Sequence, residues 1–148
     1  MLYIIVIYIM QFVTLKPKSI KKIPYVTSMI TAGFPSPAED YIDKRIDLNE
    51  QLINNPAATF MVRVDGFSMT GCGINEDDVL IVDKSLKAKD KDIILAIVNG
   101  EFTVKRLNIT TKGIILSPEN DKFKDILINE SSEFQVWGVV TYIIHKAK

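Results

Sequence analysis

The chain has 148 residues, enough for one globular domain and an additional arm. Hydrophobic residues make up 47% and charged residues 24%, which is ordinary globular usage and predicts a packed core. Eighteen basic residues balance eighteen acidic ones, so the chain has no general electrostatic attraction to DNA phosphates, and direct DNA binding is disfavoured.

The chain begins with an almost wholly apolar segment at residues 2–15. It is shorter than the ~20 residues needed to span a bilayer, and it lacks the basic start and small-residue cleavage signal of a signal peptide. Its Ile, Val and Tyr content is typical of a buried strand or a partner-binding arm. We therefore expect a cytoplasmic protein. A membrane anchor and a wrongly assigned start codon remain alternatives.

Residues 16–28 are polar, contain Pro17 and Pro24, and predict an extended linker. The following stretch, residues 27–34, should be accessible. Helix signals come next: an N-cap at Ser36 followed by proline, and a second capping pattern at Asp47 with Glu50. Between these signals lie residues at helical spacing, namely Tyr41, Ile42, Arg45 and Ile46. The pattern predicts one or two short helices between residues 37 and 53.

From residue 59 onwards the pattern indicates β structure. The predicted strands are 59–64, 79–82, 93–98, 102–107, 114–116, 126–128 and 136–144. Asn99-Gly100 supplies the two positive-φ residues of a type I′ hairpin turn. Many short strands with few helices predict a mainly β, small folded-over sheet domain.

Ser68 and Lys105 are the candidate catalytic residues. A serine hydroxyl is a weak nucleophile and needs a base, and lysine can serve if its pKa falls from ~10.4 to about 7–8 through burial. Alternation along the strand places Lys105 on the same face as Thr103 and Leu107. Two alternatives stay open from the pattern alone: Lys105 as an edge-strand lysine that opposes aggregation, and Ser68 as an ordinary turn residue.

Cys72 and His145 form a second, weaker candidate pair. They are the only cysteine and the only histidine, so a Cys–His peptidase is conceivable. A single cysteine also excludes an internal disulfide and a multi-cysteine zinc site, and we expect neither a metal nor a cofactor. The simpler interpretation is that Cys72 fills a small turn pocket and that His145 ends a strand.

Several segments, in order, resemble the UmuD proteins of SOS mutagenesis, which are related to the LexA and phage-repressor self-cleaving domains. They are Gly33–Ala38, Arg45–Asn49, Asp65–Met69, Gly73-Ile74, Asp78–Asp83, Asp92-Ile93, Val98–Lys105, Leu116–Asn120 and Trp137–Val140. The resemblance runs, in order, from Gly33 to about Val140, which is nearly all of the chain after residue 32. Two departures are Phe67, where UmuD proteins often have aspartate, and Asp77, which replaces a common glycine.

The resemblance implies a self-cleaving serine endopeptidase with a LexA/signal-peptidase-like β-clip fold. It makes Ser68 the nucleophile, Lys105 the general base and Ala32-Gly33 the scissile pair. The backbone N–H groups of Ser68 and Met69 are the candidate oxyanion donors. The implied organisation is an arm, residues 1–32, that self-cleavage removes, and a Ser–Lys peptidase-like β domain, residues 33–148.

The resemblance also implies partners. A RecA–single-stranded DNA filament would stimulate cleavage, the shortened product would join a UmuC-type subunit of an error-prone translesion polymerase, and the β domain would form a homodimer. Cleavage within one chain and cleavage between chains both stay open. Residues 1–32 carry no helix-turn-helix pattern, so we expect neither sequence-specific DNA binding nor repressor function.

Two other functions remain as alternatives. One is a membrane-associated, signal-peptidase-like Ser–Lys protease that acts on other proteins, which would explain the apolar N-terminus. The other is a non-catalytic interaction module, in which Phe134 and Trp137 would be interface anchors rather than core residues.

Overall fold

A computed structural model describes residues 22–26, 29–30, 32–33 and 44–147. The chain divides into two units, residues 1–54 and 55–148. The apolar segment 2–15 and the helix start expected at Ser36 lie outside the described residues. Among the residues described, no helix has the length and apolarity needed to cross a membrane.

The N-terminal unit contains a two-stranded antiparallel sheet and a short helix. Strand β1, Lys22–Tyr25, pairs with β2, Lys44–Asp47, and helix α1, Leu48–Leu52, follows directly. The Asp47 side chain accepts a hydrogen bond of 2.8 Å from the backbone N–H of Asn49, which satisfies one of the free donors at the helix start. The second predicted helix signal is therefore confirmed.

Two predictions in this unit are wrong. Arg45 and Ile46 were expected to be helical but belong to β2, and part of the expected linker, residues 22–25, is β1. Ile46 lies opposite Ile23, a partner distant in sequence that local spacing cannot reveal. Pro24 lies opposite Arg45 in this sheet, and a proline is compatible with a strand that pairs along one edge only.

The C-terminal unit is a seven-stranded antiparallel sheet in the order β3-β4-β9-β5-β6-β7-β8. Its strands are β3 Thr59–Arg63, β4 Val79–Asp83, β5 Ile93–Val98, β6 Glu101–Thr110, β7 Gly113–Ser117, β8 Ile126–Leu127 and β9 Phe134–Ile144. Two 3-10 turns, Pro56–Ala58 and Thr70–Cys72, interrupt the loops. Asn99 and Gly100 have φ values of 48° and 82°, so the predicted hairpin turn is confirmed. The prediction of a mainly β domain is confirmed as well.

Hydrophobic side chains form two clusters, and β5 contributes to both. Leu95 belongs to one cluster, whereas its neighbours Ile94 and Ala96 belong to the other. Because successive side chains of a strand point to opposite faces, the sheet buries apolar residues on both sides of β5. Strand β9 carries two bulges, at Trp137 and Thr141, which are skipped in its pairing with β5 and β4. Bulges of this kind increase local twist and bend the strand.

Candidate active site

Ser68 lies in the loop that leaves β3, two residues before the 3-10 turn Thr70–Cys72 begins. Gly66 precedes it with φ of 103°, a conformation that side-chain-bearing residues rarely adopt, so glycine permits this turn. On one side of Ser68, Phe67 is 53% exposed. On the other side, Met69 is buried in the hydrophobic cluster that contains Leu95. The buried methionine anchors the loop and leaves the serine half-buried at the surface of the core.

Lys105 reaches Ser68 from strand β6. Its Nζ is 3.0 Å from Ser68 Oγ, 2.9 Å from Thr103 Oγ1 and 3.0 Å from the backbone oxygen of Val104. β6 lies between β5 and β7, but Lys105 is on the part of β6 that pairs with β5 only, because pairing with β7 begins at Arg106. A lysine that opposes aggregation at a sheet edge must face solvent, whereas Lys105 is buried, so that alternative is wrong. Only 8% of the Lys105 surface is exposed, which is rare for a lysine that has no charged partner.

Lys105 Nζ is placed to donate to all three oxygens, as the three N–H donors of an ammonium can. A neutral amine has two N–H donors, for Thr103 and the Val104 carbonyl, and a lone pair that can accept the Ser68 hydroxyl proton. No carboxylate lies within ion-pair distance of Lys105 among the described residues. Burial lowers the pKa of Lys105 from its ordinary value, because desolvation disfavours the ammonium. Burial thus moves Lys105 towards its neutral form, which is the form with a lone pair for a proton.

The Ser68 loop is hydrogen-bonded to the segment that follows β7. The Glu119 N–H donates to the Ser68 carbonyl at 2.8 Å, and the Gly71 N–H donates to the Glu119 carbonyl at 2.6 Å. The side-chain amide of Asn120 donates to the Phe67 carbonyl at 2.8 Å. These bonds hold the backbone on both sides of the serine.

Arg106, the neighbour of Lys105, forms an ion pair with the Glu119 carboxylate. Its guanidinium also donates to the backbone oxygen of Lys91 at 2.7 Å. The strand that carries the lysine is therefore tied to the segment that holds the serine loop. This connection limits how far Lys105 and Ser68 can separate.

The backbone N–H groups of Ser68 and Met69 donate no hydrogen bond within the part of the chain that the structure describes. Buried backbone donors are usually paired, so free N–H groups beside a half-buried serine are available to a ligand. An oxyanion formed on a substrate carbonyl is one such acceptor.

Ala32 and Gly33 lie in the N-terminal unit, and both are exposed. A Cβ atom added at Gly33 would have no heavy atom within 4 Å. Both residues are therefore open to solvent in this structure.

The Cys–His alternative has no geometric support. Cys72 Sγ donates to the Met69 carbonyl at 3.2 Å, and burial raises the pKa of its thiol. His145 follows β9, as expected, and its Nδ1 lies 2.6 Å from the buried Asp78 carboxylate. Within the described ranges, no group of three or more His, Cys, Asp and Glu residues could hold a metal ion.

Phe134 and Trp137 are candidates for interface anchors or for core residues. The Nζ of Lys84 lies over the Trp137 ring at 4.2 Å from the ring centre. Phe134 and Trp137 are half-buried and pack against the hydrophobic clusters. The sequence analysis placed Thr103 on the same face as Lys105 but gave neither Thr103 nor Asn120 a role. The alternation of side chains along β6 could have indicated that Thr103 contacts Lys105. No local pattern indicates that Asn120 contacts the Ser68 loop.

Comparison with known proteins identifies the family. The family model described as Peptidase S24-like matches residues 24–141, a range that includes Ser68 and Lys105. The chain is 44% identical to protein SamA of Salmonella typhimurium over 84% of this chain and 86% of that protein. It is 40% identical to protein MucA of Escherichia coli over 83% and 84% of the two chains. It is 36% identical to the LexA repressor of Idiomarina loihiensis over 78% of this chain and 56% of the repressor. The chain therefore belongs to the Peptidase S24-like family of self-cleaving serine peptidases, and within it to the UmuD-like proteins of SOS mutagenesis.

Proposed function

We propose that this chain is a self-cleaving serine endopeptidase in which Ser68 is the nucleophile, Lys105 is the general base and Ala32-Gly33 is the scissile pair. The observation that carries the proposal is the 3.0 Å contact between Lys105 Nζ and Ser68 Oγ, made by a buried lysine without an ion-pair partner among the described residues. A lysine in these surroundings has a lowered pKa and can accept the serine proton.

In the proposed reaction Lys105 takes the Ser68 hydroxyl proton as Ser68 Oγ attacks the carbonyl carbon of Ala32. The carbonyl oxygen becomes an oxyanion and accepts hydrogen bonds from the N–H groups of Ser68 and Met69. The intermediate collapses, the Ala32–Gly33 bond breaks, and the Lys105 ammonium gives its proton to the departing Gly33 nitrogen. A water molecule, deprotonated by Lys105, then hydrolyses the Ala32–Ser68 ester. The products are residues 1–32 and residues 33–148.

The residue types at the scissile pair suit this reaction. Alanine before the bond fits a shallow pocket, and glycine after it lets the backbone lie close to a nucleophile. Exposure of both residues supports access by Ser68 of the same chain or of another copy. In this proposal the arm is residues 1–32 and the active product is the β domain, residues 33–148.

By analogy with the UmuD-like relatives, a RecA–single-stranded DNA filament stimulates cleavage during the SOS response. The cleaved product forms a homodimer and joins a UmuC-type polymerase subunit in translesion synthesis. This part of the proposal rests on the family alone. The neutral overall charge is consistent with a protein that reaches DNA through partners rather than by direct contact.

Incubation of the purified chain across a pH series tests the proposal. We expect a fragment that begins at Gly33, at a rate that rises with pH as Lys105 loses its proton and then levels off. Activated RecA should produce the same fragment at neutral pH. Mass spectrometry identifies the new terminus. Cleavage that persists in Ser68→Ala, or in Lys105→Ala at high pH, would show that another group performs the chemistry.

A mixing experiment separates cleavage within one chain from cleavage between chains. Ser68→Ala chains cannot cut themselves but still offer Ala32-Gly33. If isotopically labelled Ser68→Ala chains are cut on addition of unlabelled wild type, cleavage runs between chains. If only the wild type is cut, it runs within each chain.

A further inference from the structure

Asn120 holds the peptide group that joins Phe67 to Ser68. Its Nδ2 donates to the Phe67 carbonyl at 2.8 Å and contacts Thr70 Oγ1 at 3.3 Å. Its Oδ1 accepts from the backbone N–H of Lys122 at 3.0 Å. Because a backbone N–H can only donate and a carbonyl can only accept, these partners fix which end of the amide faces the serine loop.

Holding the Phe67 carbonyl also holds the Ser68 N–H. A peptide group is planar and trans, so its C=O and N–H point in opposite directions. With the carbonyl directed to Asn120, the Ser68 N–H is directed away from Asn120. That N–H is one of the two donors available for an oxyanion.

From these contacts we infer that Asn120 is a positioning residue. It orients the Phe67–Ser68 peptide so that the Ser68 N–H meets the oxyanion and Ser68 Oγ stays within reach of Lys105. The inference rests on the proposed function of Ser68. Asn120 itself touches neither Lys105 nor the hydroxyl of Ser68 in the described contacts.

Asn120→Asp is the sharpest variant, because it keeps the acceptor for Lys122 but replaces the donor to Phe67 and Thr70 with a carboxylate oxygen, which cannot bond the Phe67 carbonyl. Asn129→Asp is the matched control. Asn129 uses its Oδ1 as an acceptor for the Ser131 N–H and for the hydroxyls of Ser131 and Ser132, a task that a carboxylate also performs. Both variants add the same charge in the same unit, so their difference reports the loss of the Asn120 donor contacts to Phe67 and Thr70.

The first measurement is the rate constant of self-cleavage of the full chain across a pH series. For Asn120→Asp we expect the plateau rate to fall on the order of tenfold or more, with an unchanged midpoint and the same Gly33 terminus. Asn129→Asp should match the wild type. A plateau within twofold of wild type would overturn the inference. So would an intact plateau with a displaced midpoint, since the carboxylate would then be acting on Lys105.

A second measurement does not depend on catalysis. In a Ser68→Ala background, amide hydrogen exchange at Gly71, whose N–H is bonded to Glu119, reports how firmly the loop is held. Asn120→Asp should accelerate exchange there relative to Ser68→Ala alone, and Asn120→Ala should do the same if the aspartate variant fails to fold. Unchanged exchange would overturn the inference. Absence of any wild-type cleavage would instead overturn the proposed function.

Discussion

At the scale of single residues, the central feature is a lysine buried beside a serine. Its Nζ contacts three oxygens, and the Thr103 hydroxyl is the one side-chain contact besides Ser68. A lysine side chain has four rotatable bonds, so burial alone would not direct its amine at one atom. The Thr103 and Val104 contacts supply that direction, and in the neutral amine they would take both N–H donors and leave the lone pair for Ser68.

Thr103→Val tests this role. Without the hydroxyl, the Lys105 amine loses one acceptor and is held less firmly, so we expect the plateau rate of self-cleavage to fall about tenfold. Loss of an acceptor disfavours the ammonium more than the amine. The midpoint of the pH–rate profile should therefore move to lower pH, opposite to the effect of adding a carboxylate. Thr103→Ser, which keeps the hydroxyl, should retain most of the rate. Equal rates for valine and threonine would show that the contact is incidental.

At the scale of elements, the site depends on contacts between segments that are distant in sequence. The Ser68 loop follows β3, Lys105 belongs to β6, and the segment at Glu119 and Asn120 follows β7. Gly71 is the point of closest approach, where its N–H meets the Glu119 carbonyl. His145, after β9, is similarly joined to Asp78, just before β4. Each contact fixes a loop against the end of a strand.

Gly71→Ala should destabilise the loop. A Cβ at this position would lie 2.4 Å from the Glu119 backbone oxygen, so one of the two backbone segments must move. We expect a loss of ~1–3 kcal/mol in the free energy of unfolding, measured by denaturant titration in a Ser68→Ala background. Gly33→Ala, whose Cβ would meet nothing within 4 Å, is the control and should stay within about 0.5 kcal/mol. Equal stabilities would mean that the loop relaxes without cost.

The Asp78 carboxylate should contribute to stability in a pH-dependent way. Burial raises its pKa, but hydrogen bonds from the Asn75 N–H and His145, together with the charge of His145, outweigh burial and lower it. A carboxyl whose pKa is lower in the folded state stabilises the fold above its unfolded pKa of ~3.9, and this contribution is lost as the pH falls through the folded value.

Asp78→Asn should therefore reduce the free energy of unfolding at neutral pH by about 1–3 kcal/mol, and it should lose less than wild type on acidification. Denaturant titrations at neutral and acidic pH measure both effects. Asp77→Asn is the matched control, because Asp77 is exposed and asparagine tolerates its positive φ of 66°. An unchanged acid response in Asp78→Asn would refute the assignment.

At the scale of the whole molecule, the buried Lys105 makes the stability of the fold depend on pH. Its pKa is lower in the folded state than in the unfolded chain because burial removes water from the ammonium. The unfolded chain therefore binds more protons between the folded pKa and ~10.4, and stability rises with pH across that window. At neutral pH the buried lysine therefore lowers the free energy of unfolding.

Lys105→Met removes this linkage while keeping a side chain of similar length. We expect the free energy of unfolding of the wild type, relative to Lys105→Met, to increase as the pH is raised from neutral towards 10. Both proteins are measured in the Ser68→Ala background, so that cleavage does not interfere. A constant difference between them over this range would mean that the lysine titrates alike in the folded and unfolded states.

Local patterns in the sequence determined the strands of the C-terminal unit, the Asn99-Gly100 turn and the helix cap at Asp47, because each depends on neighbours in the chain. The match to the UmuD segments indicated the family and drew attention to Ser68 and Lys105. Only the tertiary structure showed that Lys105 is buried, that Arg45 and Ile46 pair with β1, and that Asn120 reaches Phe67. These features arise from contacts between residues far apart in sequence. The spacing of neighbouring residues does not indicate the strand register or the burial that such contacts produce. The 3.0 Å approach of Lys105 to Ser68 is one of them.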